Sequence, residues 1–228
     1  MRPTVLLFDI DGTLVSTGGA GRRAIEAAFA ELAGGREACA HFSFAGMTDR
    51  AIARAGLQAI GLAADEEAIA RLLARYVLHL DGALASSPRF RVLPGVHATL
   101  DAAAARSGVA LGLGTGNVVA GAQKKLARCG LWNRFAFGGF ADDSEERGAL
   151  IRAGATRGAE RLGQALERCR TVVVGDTPKD VAAARANGFE SLAVASGVHP
   201  LEELAACGAT LAVATLEDAS AATLLFPD

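Results

Sequence analysis

Asp9 and Asp11 stand two positions apart at the end of the apolar run LLFDIDGTLV, residues 6–15, and Gly12 follows them at once. Aspartate is depleted from strands, and two carboxylates at close range disfavour each other's charged form. Residues i and i+2 of a strand share a face, so such a strand delivers both acids to one place. A third acid, Asp176, closes the run TVVVGD from Thr171, and Asp180 follows four residues later. Another run, VALGLGTGN from Val109, ends in Thr115, Gly116 and Asn117. If the strands ending in Asp9 and Asp176 are neighbours, three carboxylates meet and require a cation. Oxygen ligands suit a hard divalent ion, and Mg²⁺ with retained waters is the natural choice. A metal with open positions beside a helix N-terminus makes a phosphate site. Thr115 and the amides of Gly116 and Asn117 would supply its donors.

The elements that must position these residues are short apolar runs alternating with helices. Strands are expected at TVLLFDID, VALGLGTGN, FAFGGF from Phe135, TVVVGD, SLAVAS from Ser191 and TLAVAT from Thr210. Between them, NVVAGAQKKLARCGL carries its cations late, and TPKDVAAARANGF offers Thr177 as N-cap and Pro178 at the first helical position. The alternation predicts an α/β fold, a Rossmann-like core with a parallel sheet. Ligands of such sheets bind beyond the carboxyl ends of the strands.

One stretch breaks the rhythm. Residues 16–93 show no strand pattern but three helical ones: GRRAIEAAFAEL, DRAIARAGLQAIG and DEEAIARLLARYVLHL. The last places Ile69, Leu72, Leu73, Tyr76 and Leu80 on one face. Nearly 80 residues are far too many for a loop. The sequence therefore predicts an all-helical domain over 16–93, inserted into an α/β core of 1–15 and 94–228, with VLPG at Val92 to Gly95 as the return.

Composition excludes other classes. The chain has 228 residues, 51% of them apolar, and a net charge of −2. It is too apolar for disorder, and nothing proposes a nucleic-acid partner. No apolar run is long enough for a membrane span, and the N-terminus does not read as a signal peptide. Four scattered cysteines without a C-x-x-C pair fit thiols in a reducing cytoplasm.

Taken together, DIDGTLV, GTGN and VVVGDTPKDV resemble the first, second and fourth motifs of the haloacid dehalogenase superfamily, in its phosphatase branch. The helical insert resembles that family's cap of the first type, and the likeness spans essentially the whole chain. It implies an HAD-like core. Asp9 would be the nucleophile that forms an aspartyl phosphate, and Asp11 the general acid and later base. Metal ligands would be Asp9, the backbone carbonyl of Asp11, and Asp176, with Asp180 beside them; TPKD equally fits a capping box in which Asp180 partners Thr177. The family's third motif is a lysine, yet no lysine lies between Lys125 and Lys179. Arg147 is the expected substitute, with Arg152 the runner-up. With Ser144 as N-cap, Arg147 would sit in a helix's first turn, where a cation opposes the helix dipole and wants an anionic partner.

The resemblance implies a Mg²⁺-dependent phosphatase for a small phosphorylated metabolite. In FAGMTDR, residues 44–50, Thr48 and Arg50 are candidates for binding the substrate, although Thr48 or Asp49 could simply cap the next helix. A sugar phosphomutase of the β-phosphoglucomutase type shares these motifs and stays open as the alternative. A dehalogenase has no need of Asp11. A phosphonoacetaldehyde hydrolase would need a cap lysine, and the only lysines, Lys124, Lys125 and Lys179, lie outside 16–93. A receiver-type phospho-switch fits neither the D-x-D spacing nor the long insert.

Overall fold

In a computed structural model of the chain, residues 2–33, 38–40 and 42–227 are described. The elements follow in the order β1 (Thr4–Phe8), β2 (Val15–Ser16), α1 (Ala20–Ala33), α2 (Asp49–Ala59), α3 (Glu66–Ala85), β3 (Arg91–Val92), α4 (Val96–Ala104), β4 (Val109–Gly114) and α5 (Val119–Ala127). The chain continues through β5 (Gly138–Gly139), α6 (Arg147–Arg161), β6 (Arg170–Gly175), α7 (Pro178–Ala186), β7 (Glu190–Val194), α8 (Leu201–Ala206), β8 (Leu211–Val213) and α9 (Ala219–Leu225).

Val5, Leu6, Leu7 and Phe8 are all fully buried, as a strand covered on both faces requires. The main sheet has the order β5-β4-β1-β6-β7-β8, every pairing parallel. β1 lies between β4 and β6, so the tips that carry Thr115, Asp9 and Asp176 are side by side. Strand order reverses there, which opens a crevice at the carboxyl edge. Leu6, Phe8, Val172, Val174, Leu192 and Leu113 pack into one core on one face, and Val5, Leu7, Val173, Leu150 and Ile151 into another on the opposite face.

The strand expected over Phe135–Phe140 is reduced to Gly138 and Gly139. Gly139 has no room for a Cβ against the Leu150 carbonyl of α6. Close helix approach thus sets this edge, and few side chains remain to extend a strand there.

The insert is helical except for its ends. β2 and β3 pair antiparallel, Val15 with Val92 and Ser16 with Arg91, and form a neck through which the chain leaves and returns. Ile25, Phe29, Ile52, Leu57, Ile69, Leu72, Tyr76 and Leu80 make a separate core among α1, α2 and α3. The Phe29 ring fills the space that a side chain on Gly56 would need, bringing α1 and α2 together.

Candidate active site

The β1–β6 ladder continues one residue past β1: Asp9 N–H donates to the Val174 carbonyl at 2.8 Å, which sets Asp9 beside the tip of β6. The chain then turns back, with the amides of Leu14 and Val15 both donating to the Ile10 carbonyl at 2.9 and 3.0 Å. The turn requires glycine at position 12. Its φ is +85°, and a Cβ there would collide with the Asp176 carboxylate. Gly197, in the loop after β7, is equally close to that carboxylate from another side.

Asp9, Asp176 and Asp180 each bring one carboxylate oxygen within 4.8 Å of the others, and all three residues are buried. The Thr13 hydroxyl donates to Asp176 at 3.3 Å. Asp180 has two jobs. It completes a capping box with Thr177 at the start of α7, and its Oδ1 takes the Arg147 Nε–H at 2.7 Å.

Arg147 is the first residue of α6, and the cap differs from the expected one: Glu146, not Ser144, is the N-cap, accepting from the amides of Gly148 and Ala149. Ser144 Oγ instead accepts from Glu146 N–H at 3.1 Å. Arg147 Nη2 lies 2.9 Å from Asp9 Oδ2 and 2.6 Å from Asp180 Oδ1. These carboxylates explain a cation placed against a helix dipole. Arg152 does not reach the site; it borders a separate hollow with Arg2, Arg170 and Phe189.

One guanidinium does not balance three buried carboxylates. Burial pushes the Asp9 carboxyl up to about 6 despite Arg147. Burial, with the charges of Asp9 and Asp180, pushes Asp176 up to about 8. Hard oxygen donors with surplus negative charge fit a divalent cation such as Mg²⁺. Asp9, Asp176 and Asp180 are the side chains that could hold it.

The Asp11 carboxylate is held apart from this cluster. Its Oδ2 accepts from Lys125 Nζ at 2.6 Å and Asn117 Nδ2 at 3.0 Å, and its Oδ1 from the Thr17 hydroxyl at 3.3 Å. Burial would raise its pKa, but the Lys125 charge and these bonds outweigh burial and hold it below the ordinary carboxylate range. Thr115 is fully buried beside Asp9, with which its hydroxyl hydrogen-bonds. Its Oγ1 accepts from Asn117 Nδ2 at 2.8 Å. It caps no helix, since α5 starts four residues on with Val118 as N-cap. Gly116 borders the site, and a Cβ there would press on Met47 and Thr48 of the insert.

The expected substrate-binding roles of Thr48 and Arg50 do not match their placement. Thr48 caps α2, accepting from Ala51 N–H, and its hydroxyl donates to the Glu145 carbonyl at 3.2 Å. Arg50 is held in an ion pair with Glu66. Neither borders the cavity. Thr48 serves the helix end, and Arg50, two residues past the cap, turns to Glu66.

The cavity measures about 650 Å³ and runs from the carboxylates to the underside of the insert. Its walls include three residues that motif reading missed: Asp49, Tyr76 and Lys125. Lys125 is 3% exposed. Burial would depress its pKa, but Asp11, Tyr76 and Asp49 outweigh that and raise it. A signal was present: Lys125 falls on the buried face of α5 with Gly121, Ala122 and Leu126, where a cation needs a partner. Burial pushes Asp49 up to about 6 and Tyr76 above its ordinary value.

Comparison with known proteins adds family and fold. The family model for haloacid dehalogenase-like hydrolases matches residues 3–188. No curated protein matches. A predicted phosphatase from Clostridium acetobutylicum superposes with a TM-score of 0.70 at 20% identity, covering 98% of this chain and 99% of that one. A predicted phosphoglycolate phosphatase from Haemophilus somnus 129pt gives 0.70 at 18% identity, over 97% and 98%. CbbY from Rhodobacter sphaeroides, solved in complex with phosphate, gives 0.68 at 21% identity, over 96% of each chain. At these identities the likeness is one of fold, over the whole length of each chain. No described helix is long and apolar enough to cross a membrane.

Proposed function

The chain belongs to the haloacid dehalogenase-like hydrolase family, and from that premise we propose that it is a Mg²⁺-dependent phosphomonoester phosphatase acting on a small phosphorylated metabolite. The observation that carries this reading is the division of labour between two acids of one turn. Asp9 sits among carboxylates with Arg147 beside it, whereas Asp11 is held by Lys125, Asn117 and Thr17.

Asp9 attacks phosphorus. An Asp9–phosphoryl bond forms, and the bond to the leaving oxygen breaks. Asp11 gives that oxygen its proton, then takes one from the water that attacks the aspartyl phosphate. Phosphate leaves and Asp9 is regenerated. Arg147 and the Thr115 hydroxyl flank Asp9, where they would hold the phosphoryl oxygens. Mg²⁺ bound at Asp9, Asp176 and the Asp11 carbonyl, with Asp180 alongside, would neutralise charge on nucleophile and phosphoryl group. Residues 16–93 act as a cap that reads the leaving group and excludes water; residues 1–15 and 94–228 carry the chemistry. Four free thiols are in keeping with a cytoplasmic enzyme.

A phosphate-release screen over a metabolite panel tests this. Turnover should require Mg²⁺, stop with EDTA and return when Mg²⁺ is restored. Acid quench and digestion should yield a phosphorylated peptide containing Asp9. Full turnover by metal-stripped protein, or phosphate on another residue, would overturn the reading. An isomerised sugar phosphate in place of free phosphate would turn it to a mutase.

A further inference from the structure

Beneath the cap, the cavity holds several polar groups that the proposed chemistry does not use. Most already have partners. Lys125 is bound by Asp11 and the Asn117 amide oxygen. Arg22 gives its Nε–H to Glu26 and one Nη to the Cys39 carbonyl, with its guanidinium 4.6 Å from the Phe44 ring centre.

Asp49 differs. Its Oδ2 accepts from Val118 N–H at 2.9 Å. Its other oxygen has no hydrogen-bond donor, and the carboxylate forms no ion pair, among the described residues. Yet the residue is only 8% exposed and borders the cavity, with Ile52 and Tyr76 as neighbours along the wall. That oxygen belongs to a residue of the cavity wall, where a bound molecule can give it a donor.

We infer that Asp49 supplies the leaving-group selectivity of this site: it accepts a hydrogen bond from a hydroxyl or ammonium group on the substrate and disfavours a leaving group bearing a second anion. The inference rests on the phosphatase reading of the same cavity. A donor satisfies the free oxygen, whereas a carboxylate leaves it unpaired and adds like-charge repulsion within the cavity. A second anion would have to turn to Arg91, on β3 at the neck, or to the other Nη of Arg22, both exposed and bordering the cavity.

Three esters of equal length test this: 2-hydroxyethyl phosphate, O-phosphoethanolamine and phosphoglycolate. They differ only in ending in a hydroxyl, an ammonium or a carboxylate. Wild-type kcat/KM should favour the first two over phosphoglycolate by about tenfold or more, the scale of a hydrogen bond to a charged group. Asp49→Asn should shrink the ammonium-to-carboxylate ratio by a similar factor. Calorimetric titration of Asp9→Asn, alone and with Asp49→Asn, reads the same order without turnover. A preference for phosphoglycolate that survives Asp49→Asn and is lost in Arg91→Gln would overturn the inference, as would a ratio unmoved by the Asp49 change. Should Asp49→Asn not fold, the wild-type and Asp9→Asn orders decide alone. If the binding order holds but no ester releases phosphate, the phosphatase reading fails and the assignment of Asp49 stands. Phosphate release with the opposite order leaves the phosphatase and removes the role of Asp49, and binding of no ester removes both.

Discussion

Asp9 and Asp11 are neighbours in sequence but sit in opposite electrostatic surroundings. Burial among other acids raises Asp9, whereas Lys125, Asn117 and Thr17 overcome burial and hold Asp11 in its charged form. Without a cation these surroundings oppose the proposed roles, so Mg²⁺ beside Asp9 would have to favour its anion and the arriving substrate's charge would have to favour a proton on Asp11. Asp9→Asn should therefore be inactive toward every ester, including p-nitrophenyl phosphate, and form no adduct. Asp11→Asn lacks the leaving-group acid, worth about 10²–10⁴-fold. It should lose more of its first step with an alkyl phosphate than with the aryl ester, whose phenolate scarcely needs a proton. It also lacks the base for the second step, so phosphate should accumulate on Asp9 after an acid quench. Equal impairment on both kinds of ester would show that Asp11 is not the proton donor.

The turn after β1 and the loop after β7 close on Asp176 from two sides, and each makes its closest approach through a glycine. A side chain at position 197 would displace the carboxylate while leaving the core of the sheet intact. Gly197→Ala should raise the Mg²⁺ concentration needed for half-maximal activity. Gly82, in α3, has nothing within 4 Å of where a Cβ would stand. Gly82→Ala should leave Mg²⁺ dependence alone and stabilise the protein by about 0.5–1 kcal/mol through helix propensity. Titration of activity with Mg²⁺ and thermal denaturation of both variants check this. An unchanged Mg²⁺ requirement in Gly197→Ala would separate the loop from the metal site.

Cap and core meet in a closed arrangement. Asp49 N–H donates to the Gly116 carbonyl at 2.7 Å, Arg54 pairs with Glu145 at 3.0 Å, and Lys124 pairs with Asp81. Closure buries Asp49 and lifts its carboxyl from 3.8 to about 6. The folded protein thus holds this proton more tightly than the unfolded chain does. The contribution of Asp49 to stability is complete below about pH 4 and is lost as pH rises toward 6. In thermal melts with EDTA, the Tm of Asp49→Asn minus that of wild type should climb between pH 4 and pH 6 and level off above. A falling difference would mean that the folded state stabilises the Asp49 anion.

The sequence by itself determined the strands and the acids at their tips, because a strand buried on both faces admits no charge except where it ends. Thus Asp9, Asp11 and Asp176 stood out, and the run of helical periodicity over 16–93 marked the insert. The capping box at Thr177 and Asp180 was equally legible, since it spans only four residues. Tertiary structure decided what depends on residues far apart in the chain. Only the tertiary fold brings Arg147 to Asp9, 138 residues earlier in the chain, so its partner could be demanded but not named. Lys125 looked like an ordinary cation at a helix C-terminus until packing turned it toward Asp11, 114 residues away. Thr48 and Arg50 looked like specificity residues because a loop between helices offers its polar groups freely. Docking of the cap on Gly116 turned Asp49 inward, while capping and the ion pair with Glu66 occupied the residues on either side.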